Sequence, residues 1–217
     1  MSEFIKKIIK VGSLENITKL YEQGEIFCST MKYFKDCEKP DARFDRLEGS
    51  IEISQFTTLT IYNDKKEIIL SKNSSPKTIP LKKGFLSKFD SKIQGNFFCC
   101  TAITDENENC FLDSNLGAYK IDERFLEFGD TMLIINNPTH FILSMQEEIR
   151  NLGFTNNESL VEYYDSNIDN MQLSIFKKDK NYEYQQELRF YIENDNGNPI
   201  KFYIGSLKDY SQIIKLK

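Results

Sequence analysis

Histidine is nearly absent from this chain of 217 residues: His140 is the one copy. A Cys–His or Ser–His dyad would have to be built on it. Its place beside Phe141 and Ile142, at the start of an apolar-periodic segment, fits a helix-surface or packing residue better. There is no H-E-x-x-H and no C-x-x-C pair, which argues against a standard zinc site. No G-x-x-x-x-G-K-[ST] stands ready to cradle phosphate, and no G-x-G-x-x-G supports a dinucleotide turn. What remains is chemistry run without metal by carboxylates, arginine, hydroxyls and backbone.

Arginine is also scarce. Arg43, Arg46, Arg124, Arg150 and Arg189 stand against 23 lysines, which points to positions that use the planar guanidinium fork. The five cysteines (Cys28, Cys37, Cys99, Cys100, Cys110) are odd in number and lack metal spacing, so they read as reduced thiols of a cytoplasmic protein. No apolar run approaches the ~20 residues of a membrane helix, and the N-terminus has the wrong pattern for a signal peptide. A net charge of −5 argues against a strongly basic nucleic-acid platform, although lysines can still cluster into a local groove. Linkers, repeats and low-complexity tracts are missing. With 40% hydrophobic residues the chain can bury a core, and residues 1–217 read as a single α+β domain dominated by strands.

A first strand ends "FIKKIIKV". Ser13 then caps a helix whose stripe is Leu14, Ile17, Leu20 and Tyr21 and which stops at Gly24. "EIFCSTMKYF" (25–34) alternates as a second strand. Residues 35–49 read as a charged loop or a short helix, 51–72 read as two strands around "NDKK", and 73–84 read as a loop. "GNFFCCTAI" (95–103) is almost wholly apolar, hence a strand buried on both faces. "GDTMLIIN" (129–136) is another strand. Asn137 and Pro138 then open a helix with a stripe of Phe141, Ile142, Met145, Ile149 and Leu152, ended by Gly153. Residues 184–192 and 199–207 are expected to form a hairpin around "ENDNGN", with "SQIIKLK" as a last edge strand.

The segment 184–192 raises the functional question. At strand periodicity Tyr184, Gln186, Leu188, Phe190 and Ile192 share one face, its apolar end pointing to a core, while Gln185, Glu187, Arg189 and Tyr191 share the other. A glutamate there could stabilise positive charge developing at an anomeric carbon, and Arg189 could bind phosphate or steady the carboxylate. A solvent-facing ion pair is the plainer alternative. In "PDARFDRLEG" (40–49) an arginine could grip a pyrophosphate, or the run could be a solvated turn. Ser29, Thr30 and Tyr33 could line a nucleotide pocket, or simply satisfy backbone and water.

In order, these pieces resemble a known family. "SLENITKLYEQGEIFCSTMKYFKD" resembles the opening of ADP-ribosyltransferase-like proteins, with a strand, a helix of "N-[LI]-x-x-[IL]-x-x-G" flavour, and a second strand bearing Ser, Thr or Tyr. "YQQELRF" resembles the "E-x-E-[WYL]-R" segment of a bacterial branch, and "NFFCCTAITDEN" and "FGDTMLIINNPTHFI" resemble its middle strands and helix. The resemblance implies two small antiparallel sheets forming a cleft with a few flanking helices. It implies NAD as co-substrate, Glu187 as the catalytic glutamate with Arg189 beside it, and Ser29, Tyr33 and Arg43 as NAD contacts. The first strand departs from the family by offering Lys7 or Lys10 where a histidine or arginine is usual. The implied activity is mono-ADP-ribosyl transfer to RNA or protein, in a cytoplasmic toxin of phage defence with an antitoxin partner and no membrane association. The alternatives are a non-catalytic nucleotide- or protein-binding module of the same fold, and an RNA-cleaving toxin that does not use NAD.

Overall fold

The computed structural model describes residues 4–30, 33, 50–60, 78–89, 94–113, 118–167 and 170–216. In chain order the first elements are β1 (Ile5–Gly12), α1 (Leu14–Gln23), β2 (Glu25–Thr30), β3 (Ser50–Thr60), β4 (Thr78–Phe89) and β5 (Gly95–Thr104). A short α2 (Glu108–Phe111) precedes β6 (Leu112–Asp113), β7 (Ala118–Tyr119), β8 (Thr131–Ile135) and α3 (Pro138–Asn151). Then come β9 (Asn156–Leu160), β10 (Glu162–Tyr164), β11 (Met171–Gln172), β12 (Lys177–Asp179), β13 (Glu187–Glu193), β14 (Ile200–Tyr203) and β15 (Ser211–Lys215). No helix among the described residues is long and apolar enough to cross a membrane.

The class is mixed α+β, and every strand pair among the described residues is antiparallel except β10 with β12. Two small sheets are not what forms. β5 is apolar on both faces and long enough to take partners on both edges, so it joins eight strands into one sheet. On one edge it carries β13, with β9 beyond. Its other edge is shared. β2 pairs at Asn96 and Phe97, β1 pairs from Thr101 onward, and the two ladders leave Phe98 to Cys100 between them. The sheet is therefore forked at β5. β14 extends the β2 prong, and β8 and β15 extend the β1 prong.

Both long helices cover one face. Ser13 Oγ accepts from the Asn16 amide at the start of α1, and Gly24 ends it at φ 65°. Asn137 caps α3 through the His140 amide. Ile17, Leu20, Phe141, Met145 and Ile149 from these helices bury against Ile8, Phe98, Cys100, Leu133, Leu188 and Phe190. Leu14 and Leu152, expected in the stripes, are exposed because each lies at the terminal turn of its helix. On the opposite face Ile9, Val11, Ile103, Phe125 and Ile134 form a second cluster.

Several expected elements are corrected. Residues 78–84 belong to β4, not to a loop, and β4 is the partner of β3. The "NDKK" turn lies outside the described residues. The strand expected from 184 begins only at Glu187, after a 3-10 turn over Lys180–Gln185. Tyr184 consequently leaves the Leu188 face and packs edge-on against Phe125. β13 and β14 form no hairpin. The buried Asn96 donates to the carbonyls of Cys28 and Asn198, and Asn194 donates to Asn96. That amide knot carries the chain past the end of β5 to β2, where β14 pairs. β15 is the edge strand expected, and among the described residues it pairs with β8 alone.

Candidate functional site

β13 and β5 run in register with Glu187 opposite Thr101 and Arg189 opposite Cys99. Two-residue periodicity then sets Glu187 and Arg189 on the face opposite the helices. Neither is solvated. Glu187 is 4% exposed and Arg189 is 2% exposed, so the solvent-facing ion pair is excluded. Arg189 Nε donates to Glu187 Oε1 at 2.7 Å, and another of its N–H groups donates to the Ile175 carbonyl. Its guanidinium carbon lies 5.2 Å from the centre of the Phe97 ring.

A third charge completes the cluster. Lys178 Nζ stands 3.1 Å from Glu187 Oε2 and 2.9 Å from Gln185 Oε1, and is itself buried. Its placement derives from the parallel pairing of β12 with β10, which sets Lys178 opposite Tyr163. The Tyr163 hydroxyl accepts from the Glu187 backbone N–H at 2.9 Å, so both members of that pair meet Glu187.

Burial alone would raise the Glu187 pKa. Arg189 and then Lys178 outweigh it and hold the carboxyl well below the usual carboxylate range. Glu187 is thus a permanent anion at neutral pH. It is suited to electrostatic stabilisation or to accepting a hydroxyl hydrogen bond, and unsuited to proton transfer. The Cys99 thiol, pushed well up by burial and then by Glu187, stays protonated beside it.

Glu187, Arg189, Lys178, Gln185 and Cys99 line a cavity of about 630 Å³ at the fork, whose lining draws on residues of both faces of β5. That volume lies within the ordinary range for small-molecule sites. Ser29, on β2 opposite Phe97, lines the cavity wall. Tyr33, half exposed, lines it as well, with its backbone N–H on Thr30 Oγ1 at 3.2 Å. Of the first-strand Lys7 and Lys10, Lys10 is the one in the cavity. Its ammonium donates to the Cys99 carbonyl at 2.5 Å, inside the gap between the ladders, and lies 4.7 Å from the Phe98 ring centre. Lys7 turns away to Asn136. Arg43 lies outside the described residues.

The cavity therefore brings together Ser29, Tyr33, Glu187 and Arg189. Lys178 was missed by sequence reasoning, and Gln185 was placed on the Glu187 face without a role. "KKDKN" reads as a solvated basic run, and nothing local marks its second lysine as buried. The third base, Lys10, was legible only as an alternative to Lys7. Among the described residues, no group of histidine, cysteine and carboxylate side chains is arranged to hold a metal. His140 sits at the start of α3 with its ring against Tyr210, away from the cavity. No protein-family model, curated protein or solved structure matches the chain.

Proposed function

We propose that the cavity is the NAD site of a mono-ADP-ribosyltransferase, with the forked sheet as an ADP-ribosyltransferase-like cleft. One observation carries this reading. Residues chosen at opposite ends of the chain, Ser29 and Tyr33 on one side and Glu187 and Arg189 on the other, line the same cavity. NAD supplies a glycosidic bond whose electron pair leaves with nicotinamide, while the lone pair of an acceptor nucleophile closes the new bond at C1′. Glu187 contributes a fixed negative charge beside the carbon that becomes positive. Arg189 and Lys178 hold that carboxylate in place. Among the described lining residues, cations outnumber carboxylates, which suits a pyrophosphate. RNA or protein is the proposed acceptor, and a cytoplasmic toxin with an antitoxin is the proposed setting.

A second reading has its own support. Two cations already occupy the Glu187 oxygens, which favours a module that binds a nucleotide without transferring it. Purified protein, labelled NAD and a cell extract separate the two. Label passing to RNA or protein, lost in Glu187→Gln at a temperature where that variant is folded, supports transfer. Saturable NAD binding with neither label transfer nor nicotinamide release moves the conclusion to the binding module.

A further inference from the structure

Gln186 is the one non-glycine residue with positive φ among the described residues, at φ 42° and ψ 55°. This left-handed conformation is unfavourable for a residue with a Cβ and persists where surrounding contacts enforce it. It stands between Gln185 and Glu187. In an extended strand, residues two apart are separated by about 6.6 Å along the chain. Yet Gln185 and Glu187 both reach the ammonium of Lys178, at 2.9 and 3.1 Å. At Gln186 the 3-10 turn that carries Gln185 passes into the strand that carries Glu187, and this backbone sets how the two side chains meet Lys178.

The bend is clamped from outside the cavity. The Gln186 carbonyl accepts from the Ala102 amide of β5 at 2.8 Å, and its side-chain amide donates to the Glu183 carbonyl at 2.8 Å. Its side-chain oxygen accepts from Asn107 Nδ2 at 3.0 Å. Asn107 is itself tied to β5, donating to the Ala102 carbonyl at 3.0 Å and accepting from the Thr104 amide at 2.8 Å. We infer that Gln186 and Asn107, which line no part of the cavity, are positioning residues that set the Glu187 carboxylate against Lys178. The proposal deepens the transferase reading, but its geometry stands without NAD.

Two variants and one probe that does not need turnover test it. Asn107→Ala removes the Asn107 side-chain bond of the clamp and leaves Gln186. Gln186→Gly keeps the left-handed backbone and removes the side chain. Iodoacetamide alkylation of Cys99, read by mass spectrometry, reports whether Glu187 has moved off that thiol, and buried Cys28 reports general loosening. The expected result in both variants is Cys99 alkylation faster than wild type by on the order of threefold or more, with Cys28 unchanged. Nicotinamide release from NAD should lose about tenfold or more in kcat with KM within about twofold. Unchanged Cys99 alkylation in both variants, or a parallel rise at Cys28, overturns the proposal. A wild-type protein without NAD turnover sinks the transferase reading alone and leaves the Cys99 result to decide this one.

Discussion

Lys178 and Glu187 meet 3.1 Å apart with side chains only 5% exposed, and Arg189 closes on the other carboxylate oxygen at 2.7 Å. Two buried cations thus meet on one buried anion. Such a cluster is costly to desolvate and contributes little net stability, but breaking it is costly too, because the survivors are stranded.

Removing the anion should therefore hurt most. Glu187→Ala is expected to lower unfolding free energy by about 3–5 kcal/mol, the cost of leaving buried charge unpaired. Lys178→Met leaves Glu187 with Arg189 and should cost clearly less. Urea denaturation of both variants against wild type checks the order. A larger loss in Lys178→Met would contradict it.

The same carboxyl shapes the acid limb of stability. Its folded pKa is depressed by Arg189 and Lys178 against the opposing effect of burial. The unfolded chain thus binds more protons as pH falls through the ordinary carboxylate range, and stability falls with it. The contribution is complete above about pH 5 and is lost toward the folded value, below the usual range. Urea midpoints between pH 7 and pH 3 should fall less steeply for Glu187→Gln than for wild type. The pH–rate profile of any activity should show no step from Glu187 between pH 5 and 8.

Thiol reactivity should track burial. Cys28 and Cys100 are pushed up to about 12 by burial, while Cys110 is exposed. Among the described cysteines, brief alkylation at pH 8 should label Cys110 first and leave Cys28 and Cys100 intact until the protein unfolds. Peptide mapping after timed exposure reads the sequence of events.

Gly24 should not tolerate a side chain. At φ 65° it ends α1, and a Cβ there would stand 2.0 Å from the Gly205 carbonyl oxygen. Gly24→Ala is expected to lose more than about 2 kcal/mol through left-handed strain and the backbone clash together. Thermal unfolding measures it.

Local chemistry was legible in the sequence wherever one residue decides one feature. Ser13, Gly24, Asn137 and Pro138 mark helix ends because capping is a contact with the chain's own next turn. β5 was legible because a run of residues without a polar face admits few other structures. The fork was not. Whether β5 gathers β1, β2 and β13 depends on partners far away in the chain, and nothing within 95–104 specifies them. The hairpin expected at the C-terminus failed for a related reason: "ENDNGN" does turn, but Asn194 spends its amide on Asn96 and redirects the chain toward β2. Glu187 and Arg189 look by type and spacing like an ordinary solvated pair, and only the order of elements leading to them made them candidates; their burial is a tertiary fact. Lys178 was not a candidate, since a lysine among lysines becomes exceptional only when tertiary structure buries it.

The fork has a consequence for biosynthesis. β5 takes β1 and β2 from before it and β13 from after it, so one of its edges can pair while the other waits for residues 187–193 to leave the ribosome. Such long-range pairing is slow and leaves an apolar strand edge open meanwhile. The carboxylate arrives on that late strand. A chain whose translation stops before residue 187 carries two of the cavity's basic residues, Lys10 and Lys178, but neither Glu187 nor Arg189, so premature termination yields a protein without the feature on which the proposed chemistry depends.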